Sequence, residues 1–239
     1  MTADLIIFDC DGVLIDSEPV ASHVLWQTLN EAGVSISLSE VHRRFTGYSE
    51  RDAYRICIEE LGIADPAPVF VAARDALYPA FRRSLRPMAG IDALVRSLPQ
   101  RKCVASNSTL ERLQNSLGLF DLWNAFDPRI FSAEMVAAPK PAPDLFHLCA
   151  ETLGVDPNRC LVVDDSPHGI VGAVAAGMRA IGFIDPTDPR EGRTTVLADA
   201  GAMLVATGAD ELARAFAVVL GEAPDSPAPL KAAALAEPV

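Results

Sequence analysis

Asp9 and Asp11 stand one residue apart, directly after Leu5-Ile6-Ile7-Phe8 and directly before Gly12. In an extended chain, residues i and i+2 project to the same side, so two carboxylates leave the end of this segment together. Such a pair repels itself unless a proton or cation lies between the two groups, and hard oxygen donors favour a magnesium-type ion. A second acidic pair, Asp164-Asp165, follows Cys160-Leu161-Val162-Val163 in the same manner and would complete a metal site with the first. Two further stretches lie between the pairs. Ser106-Asn107-Ser108 follows the apolar segment that ends at Ala105, and a hydroxyl ahead of a helix start is a natural seat for a phosphate oxygen. Helix capping is the other use of such residues, and it fits Ser108 better than Ser106 and suits Asn107 equally well. Lys140 is one of three lysines, with Lys102 and Lys231, and Ala138-Pro139-Lys140-Pro141-Ala142-Pro143-Asp144 holds it in a stiff loop. An acidic chain can still bind an anionic ligand where the local site supplies a cation, and Lys140 is the candidate for that cation.

These residues share one structural context, the end of a short apolar segment. Leu5–Phe8 reads as a buried strand of a parallel sheet, and Gly12 lets the chain turn sharply after it. From Ser17 to about Arg86 the spacing is helical throughout. Asp16-Ser17-Glu18-Pro19 offers a capped start, and Val20, Val24, Leu25 and Leu29 recur on one face before Gly33. Further helices are expected over residues 38–45, 50–61 and 68–84. After Pro87 the pattern alternates. Helices are expected at 91–98, 109–117, 143–153, 167–176, 191–199 and 210–220, and strands at 102–105, 130–132, 160–163, 180–184 and 203–205. Such alternation predicts an α/β fold, a Rossmann-like doubly wound parallel sheet, whose ligand lies beyond the C-terminal strand ends. The expected domains are a core of residues 1–16 and 87–221, an inserted all-helical cap of 17–86, and a Pro/Ala-rich tail of 222–239.

Composition narrows the classes. With 239 residues, half of them apolar and 22% charged, the chain has ample length for a buried core. Its net charge of −12 argues against nucleic acid and anionic membranes as partners. Five scattered cysteines without Cys-x-x-Cys spacing read as buried free thiols in a reducing compartment. No apolar run has membrane-spanning length and no leader-like segment precedes the first strand, so a cytoplasmic protein is expected.

In this order, and with a helical insertion after the first strand, the four strand-end elements resemble the haloacid dehalogenase superfamily of phosphatases and phosphomutases. The resemblance runs from Leu5 to about Asp188. Asp9-Cys10-Asp11-Gly12-Val13 resembles its nucleophile motif, Ser106 its second motif, Lys140 its third and Asp164-Asp165 its fourth. Asp16-Ser17-Glu18 and Lys140-Pro141-Ala142-Pro143-Asp144 are most similar to the β-phosphoglucomutase-type branch, which also contains sugar-phosphate phosphatases. The resemblance implies a phosphoric monoester hydrolase in which Asp9 attacks phosphorus and Asp11 is general acid and base. It further implies Mg2+ held by Asp9, the Asp11 main-chain carbonyl and Asp165 with help from Asp164, and phosphoryl oxygens bound by Ser106, Lys140 and Asn107. The cap would choose the substrate, a small phosphorylated metabolite, with His23, Trp26, Arg51 and Arg74 as candidate contacts. Ordinary packing or a solvated helix face explains the same cap residues. A mutase of this type carries arginine after the serine of a Gly-x-Ser segment. Here Gly47-Tyr48-Ser49 is followed by Glu50, which favours hydrolysis over the alternative phosphomutase. Asp11 and the second acidic pair argue against a metal-free dehalogenase. The lack of lysine in residues 17–86 argues against a Schiff-base phosphonate hydrolase, and the helical insertion against a response-regulator domain. A monomer or homodimer is expected.

Overall fold

The structure of the chain, a computed structural model, describes residues 3–46 and 50–221, and the side chains of residues 50 and 51 lie outside the described set. Two compact units divide the chain, one of Met1–Ile15 with Pro87–Val239 and one of Asp16–Arg86. Strand β1 (Leu5–Phe8) opens the first unit and is buried at every position.

The second unit is helical, with α1 (Glu18–Glu31), α2 (Leu38–Phe45), α3 (Glu50–Glu59) and α4 (Ala67–Ser84). Its apolar centre gathers Leu29, Val41, Phe45, Ile56, Cys57 and Val69. Helix α2 begins in a reciprocal cap, because Ser37 accepts from the Glu40 N–H while the Glu40 carboxylate accepts from the Ser37 N–H. The start of α1 differs from its sequence expectation. Ser17 occupies the cap position in a helical conformation with no side-chain cap bond, and it is fully buried.

Within the first unit the chain continues through α5 (Ile91–Ser97), β2 (Arg101–Ser106), α6 (Leu110–Asn115), β3 (Ile130–Ser132) and α7 (Asp144–Leu153). It ends with β4 (Cys160–Asp164), α8 (Pro167–Ala175), β5 (Arg179–Ile184), α9 (Arg193–Asp199), β6 (Leu204–Thr207) and α10 (Gly208–Leu220). The strands form one parallel sheet in the order β3-β2-β1-β4-β5-β6. Strand order reverses between β1 and β4, and in doubly wound sheets the ligand crevice opens at that switch point.

Both sheet faces are covered. Leu5 and Ile7 pack with Leu145, Phe146, Cys149, Ile170 and Ala173, from α7 and α8. Phe8 points to the opposite face, where Phe126 and Phe216 meet it edge to face with centroids 5.8 and 6.2 Å away. Each large side chain buried in this way stabilises the fold by about 1.5–3 kcal/mol. All five cysteines are buried and free. Among the described residues no helix is long and apolar enough to cross a membrane.

The stretch after β2 departs from expectation. Helix α6 stops at Asn115, and tight turns at Leu117–Leu119 and Asp121–Ala125 replace its expected end. Gly118 lies inside the first of these turns and is not a left-handed helix cap, whereas Gly154 after α7 is one, with φ 61°.

Candidate active site

Four chain segments meet at the C-terminal ends of β1, β2 and β4. Asp9 continues β1 by donating its N–H to the Val163 carbonyl at 2.9 Å, which places its side chain beside the end of β4. The Lys140 ammonium lies between two carboxylates, 2.8 Å from Asp9 Oδ1 and 2.7 Å from Asp164 Oδ2, with its side chain only 3% exposed. The Phe146 ring sits 5.3 Å from the same nitrogen. Burial works against the charge on Lys140, but the Asp164 and Asp9 carboxylates outweigh it and hold the lysine protonated well above its ordinary range. Burial also pushes Asp9 up to about 7, an effect that Lys140 opposes and that the charges of Asp164 and Asp11 reinforce.

Asp164 is fixed from two sides, since its Oδ1 accepts from the Ser166 N–H at 2.9 Å while Oδ2 accepts from Lys140. Two glycines make room for the acidic groups. A Cβ at Gly169 would lie 1.8 Å from Asp164 Oδ2, and a Cβ at Gly12, where φ is +80°, would lie 2.7 Å from Asp165 Oδ2. Only a bare backbone fits at either place.

The stretch after β2 works differently from its reading as a phosphate seat alone. Ser106 is buried, and its hydroxyl accepts from the Ser108 N–H at 3.1 Å, which leaves its own O–H to donate. Asn107, expected among the phosphate-binding groups, directs both ends of its amide to the Lys140 main chain. Its Nδ2 donates to the Lys140 carbonyl at 3.1 Å, and its Oδ1 accepts from the Lys140 N–H at 3.0 Å. The cap of α6 is Thr109, not Ser108, because Thr109 accepts from the Arg112 N–H. The Ser108 hydroxyl instead donates to Asp11 Oδ2 at 2.7 Å, and the Arg112 guanidinium reaches Asp11 Oδ1 at 3.1 Å.

A family model for haloacid dehalogenase-like hydrolases matches residues 3–177. The chain belongs to this family. Among its relatives is 6-phosphogluconate phosphatase of Escherichia coli K12, 29% identical over 184 residues, covering 75% of this chain and 82% of that protein. Fructose-1-phosphate phosphatase of the same organism is 31% identical over 185 residues, covering 74% and 94%. A crystal structure of a conserved haloacid dehalogenase-like protein from Agrobacterium tumefaciens superposes with a TM-score of 0.80 at 37% identity, over 92% of this chain and 98% of that one.

A metal ion of the kind this hydrolase family uses finds a suitable donor set here. Asp9, Asp164 and Asp165 each offer a carboxylate oxygen, all within 4.8 Å of one another. Three hard anionic donors beside one buried ammonium suit a small divalent cation. The Asp11 carboxylate is not part of that cluster, being turned toward Ser108 and Arg112. Arg193, at the start of α9, donates to the Asp165 carbonyl and lies 3.5 Å from Asp188, so the loop after β4 is braced from a neighbouring strand's connection.

The remaining candidates belong to the second unit. His23 is exposed, its ring 5.3 Å from that of Trp26. Trp26 is half-buried in its own unit and donates its indole N–H to the Ile36 carbonyl at 3.0 Å. Arg74 is exposed on α4. The Arg51 side chain and Gly47-Tyr48-Ser49 lie outside the described residues.

Sequence reasoning did not single out Arg112 or Arg193, and it assigned Ser108 to a cap. An arginine in the first turn of a helix reads as a solvated charge, and no local spacing links it to a carboxylate on another strand. The one available signal was Ser108 itself, a second hydroxyl two residues beyond Ser106.

Proposed function

We propose that this chain is a magnesium-dependent phosphatase acting on a small sugar, sugar-acid or polyol phosphate through an aspartyl-phosphate on Asp9. The observation that carries the reading is the buried Lys140 ammonium, held at 2.8 and 2.7 Å between Asp9 and Asp164 with the Asp165 carboxylate alongside. Burying the Lys140 ammonium and the Asp164 carboxylate beside two further carboxylates costs several kcal/mol per buried ion, which is hard to account for by stability alone. Family membership and relatives that are phosphatases of phosphorylated sugars and sugar acids support the substrate class.

In this mechanism an Asp9 carboxylate oxygen attacks phosphorus in line, the bond from phosphorus to the alcohol oxygen breaks, and that oxygen takes a proton from Asp11. Water then attacks the aspartyl-phosphate, Asp11 accepts its proton, and inorganic phosphate leaves with Asp9 restored. Magnesium bound by Asp9, Asp165 and the Asp11 main-chain carbonyl, with Asp164 in support, would shield the repulsion between Asp9 and the phosphate. Lys140 and the Ser106 hydroxyl bind phosphoryl oxygens, and Asn107 holds the Lys140 main chain in place. The helical unit acts as a cap, with His23, Trp26, Arg51 and Arg74 offered to the organic part of the substrate. Buried free thiols suit a reducing cytoplasm.

The test is phosphate release from a panel of phosphorylated sugars, sugar acids, polyols and nucleotides, with and without magnesium. The expected result is release from a few related esters, lost on chelation and reduced at least about a thousandfold in Asp9→Asn. Isomerisation of a hexose 1-phosphate in the presence of a bisphosphate primer, without net release, would make the protein a mutase.

A further inference from the structure

We propose that Arg112 is a positioning residue for Asp11, clamping its carboxylate so that it can exchange protons with the leaving alcohol and the attacking water. The inference rests on Asp11 being the general acid and base of the proposed reaction. A carboxylate two residues beyond the nucleophile, on a turning loop, can rotate about two side-chain bonds, and proton transfer tolerates little error in placement. Here both oxygens are occupied from the stretch that follows β2, one from its loop and one from α6. The Ser108 hydroxyl holds Oδ2 at 2.7 Å and Arg112 Nη2 holds Oδ1 at 3.1 Å, so rotation of the group is blocked.

The arginine is itself anchored at its main chain. Its N–H donates to the Thr109 hydroxyl at 3.1 Å, and its carbonyl accepts from the Ser116 hydroxyl at 2.8 Å. Its side chain is 28% exposed against 16% for Asp11. The pair is partly buried, and it ties the loop after β1 to the helix after β2, which sets where the Asp11 carboxylate lies.

A leaving-group comparison separates this role from a structural one. An alkyl phosphate needs a proton on the departing oxygen, whereas p-nitrophenyl phosphate releases a stable phenolate without one. The ratio kcat/KM reports only steps up to the first irreversible one, release of the alcohol or phenolate. In Arg112→Ala, kcat/KM for the sugar or polyol phosphate found in the substrate panel should fall at least about tenfold. For p-nitrophenyl phosphate it should stay within about twofold of the parent. Arg112→Lys, which keeps the charge but not the planar fork, should recover part of the loss on the alkyl ester only. Equal losses on both esters, or none on either, with a parent-like melting temperature, would overturn the proposal. Asp11→Asn run in parallel separates the two readings. If it shows the split and Arg112→Ala does not, the clamp is wrong and the mechanism stands. If Asp11→Asn shows no split, Asp11 is not the acid and the clamp falls with it.

Discussion

An ammonium buried to the extent of Lys140 persists only if its partners are fixed as firmly as it is. Asp164 is held by the Ser166 N–H, and the lysine's own main chain is held by the Asn107 amide. Asn107 therefore acts on the site through Lys140. In Asn107→Ala two hydrogen bonds disappear, and the lysine loop loses the tie that sets the height of its ammonium beside Asp9. The expected outcome is a rise in KM for the phosphate ester of about tenfold, with a stability loss of about 1–2 kcal/mol. Steady-state kinetics and urea denaturation of the one variant measure both. If Asn107 instead bound substrate directly, Asn107→Asp would simply repel the phosphate. With the clamp, that variant keeps an acceptor for the Lys140 N–H and loses only the donor, so its stability should fall between parent and Asn107→Ala.

At the scale of elements, the sequence pattern located each strand whose end carries chemistry, because buried parallel strands are short apolar runs stopped by polar residues. Helix α8 shows how closely an element must approach such an end. Its Gly169 backbone lies against the Asp164 carboxylate, which is 1% exposed and bonded on both oxygens, so the carboxylate has nowhere to retreat from an added methyl. Gly169→Ala should cost about 3 kcal/mol of unfolding free energy, measured by urea denaturation, and most of the activity, while an alanine at Gly177, where no atom lies within 4 Å, should meet only the strain of its positive φ. In the helical unit, Ser37→Ala removes one half of the cap on α2 and should cost about 1 kcal/mol. The other half depends on pH. Hydrogen bonds from Ser37 hold Glu40 below its ordinary value of 4.5, so its contribution is present above that pH and is lost as the pH falls through the lowered value. Caps such as Ser37-x-x-Glu40 are local and can be read in a sequence. The link from Arg112 to Asp11 is not, since it joins a helix after β2 to a loop after β1, and its residue types alone describe an ordinary surface helix. The same limit explains Ser17, whose pattern suggests a cap but whose side chain is drawn into the interior.

At the scale of the whole molecule, a net charge of −12 is concentrated further by three carboxylates at adjacent strand ends. These donors come from β1 and β4, which are neighbours in the sheet but lie far apart along the chain. An unfolded chain cannot bring them together, so an ion that binds them binds the folded state alone, and its binding energy appears as stability. At a free magnesium concentration one hundred times its Kd, the expected gain is about 2.7 kcal/mol. Any salt also relieves self-repulsion in so acidic a protein, and that contribution must be removed by comparison with sodium chloride at equal ionic strength. A Trp26→Phe background leaves Trp123 as the fluorescent reporter of the first unit. In that background the urea midpoint should rise in magnesium beyond the matched sodium chloride control, and Asp165→Asn should abolish the excess while retaining the salt effect. Equal midpoints in the two salts would mean that the carboxylates are screened and no ion is held between them. Lys140 would then offset Asp9 and Asp164 without the help of an ion, and the reaction would have to proceed without metal at the strand ends.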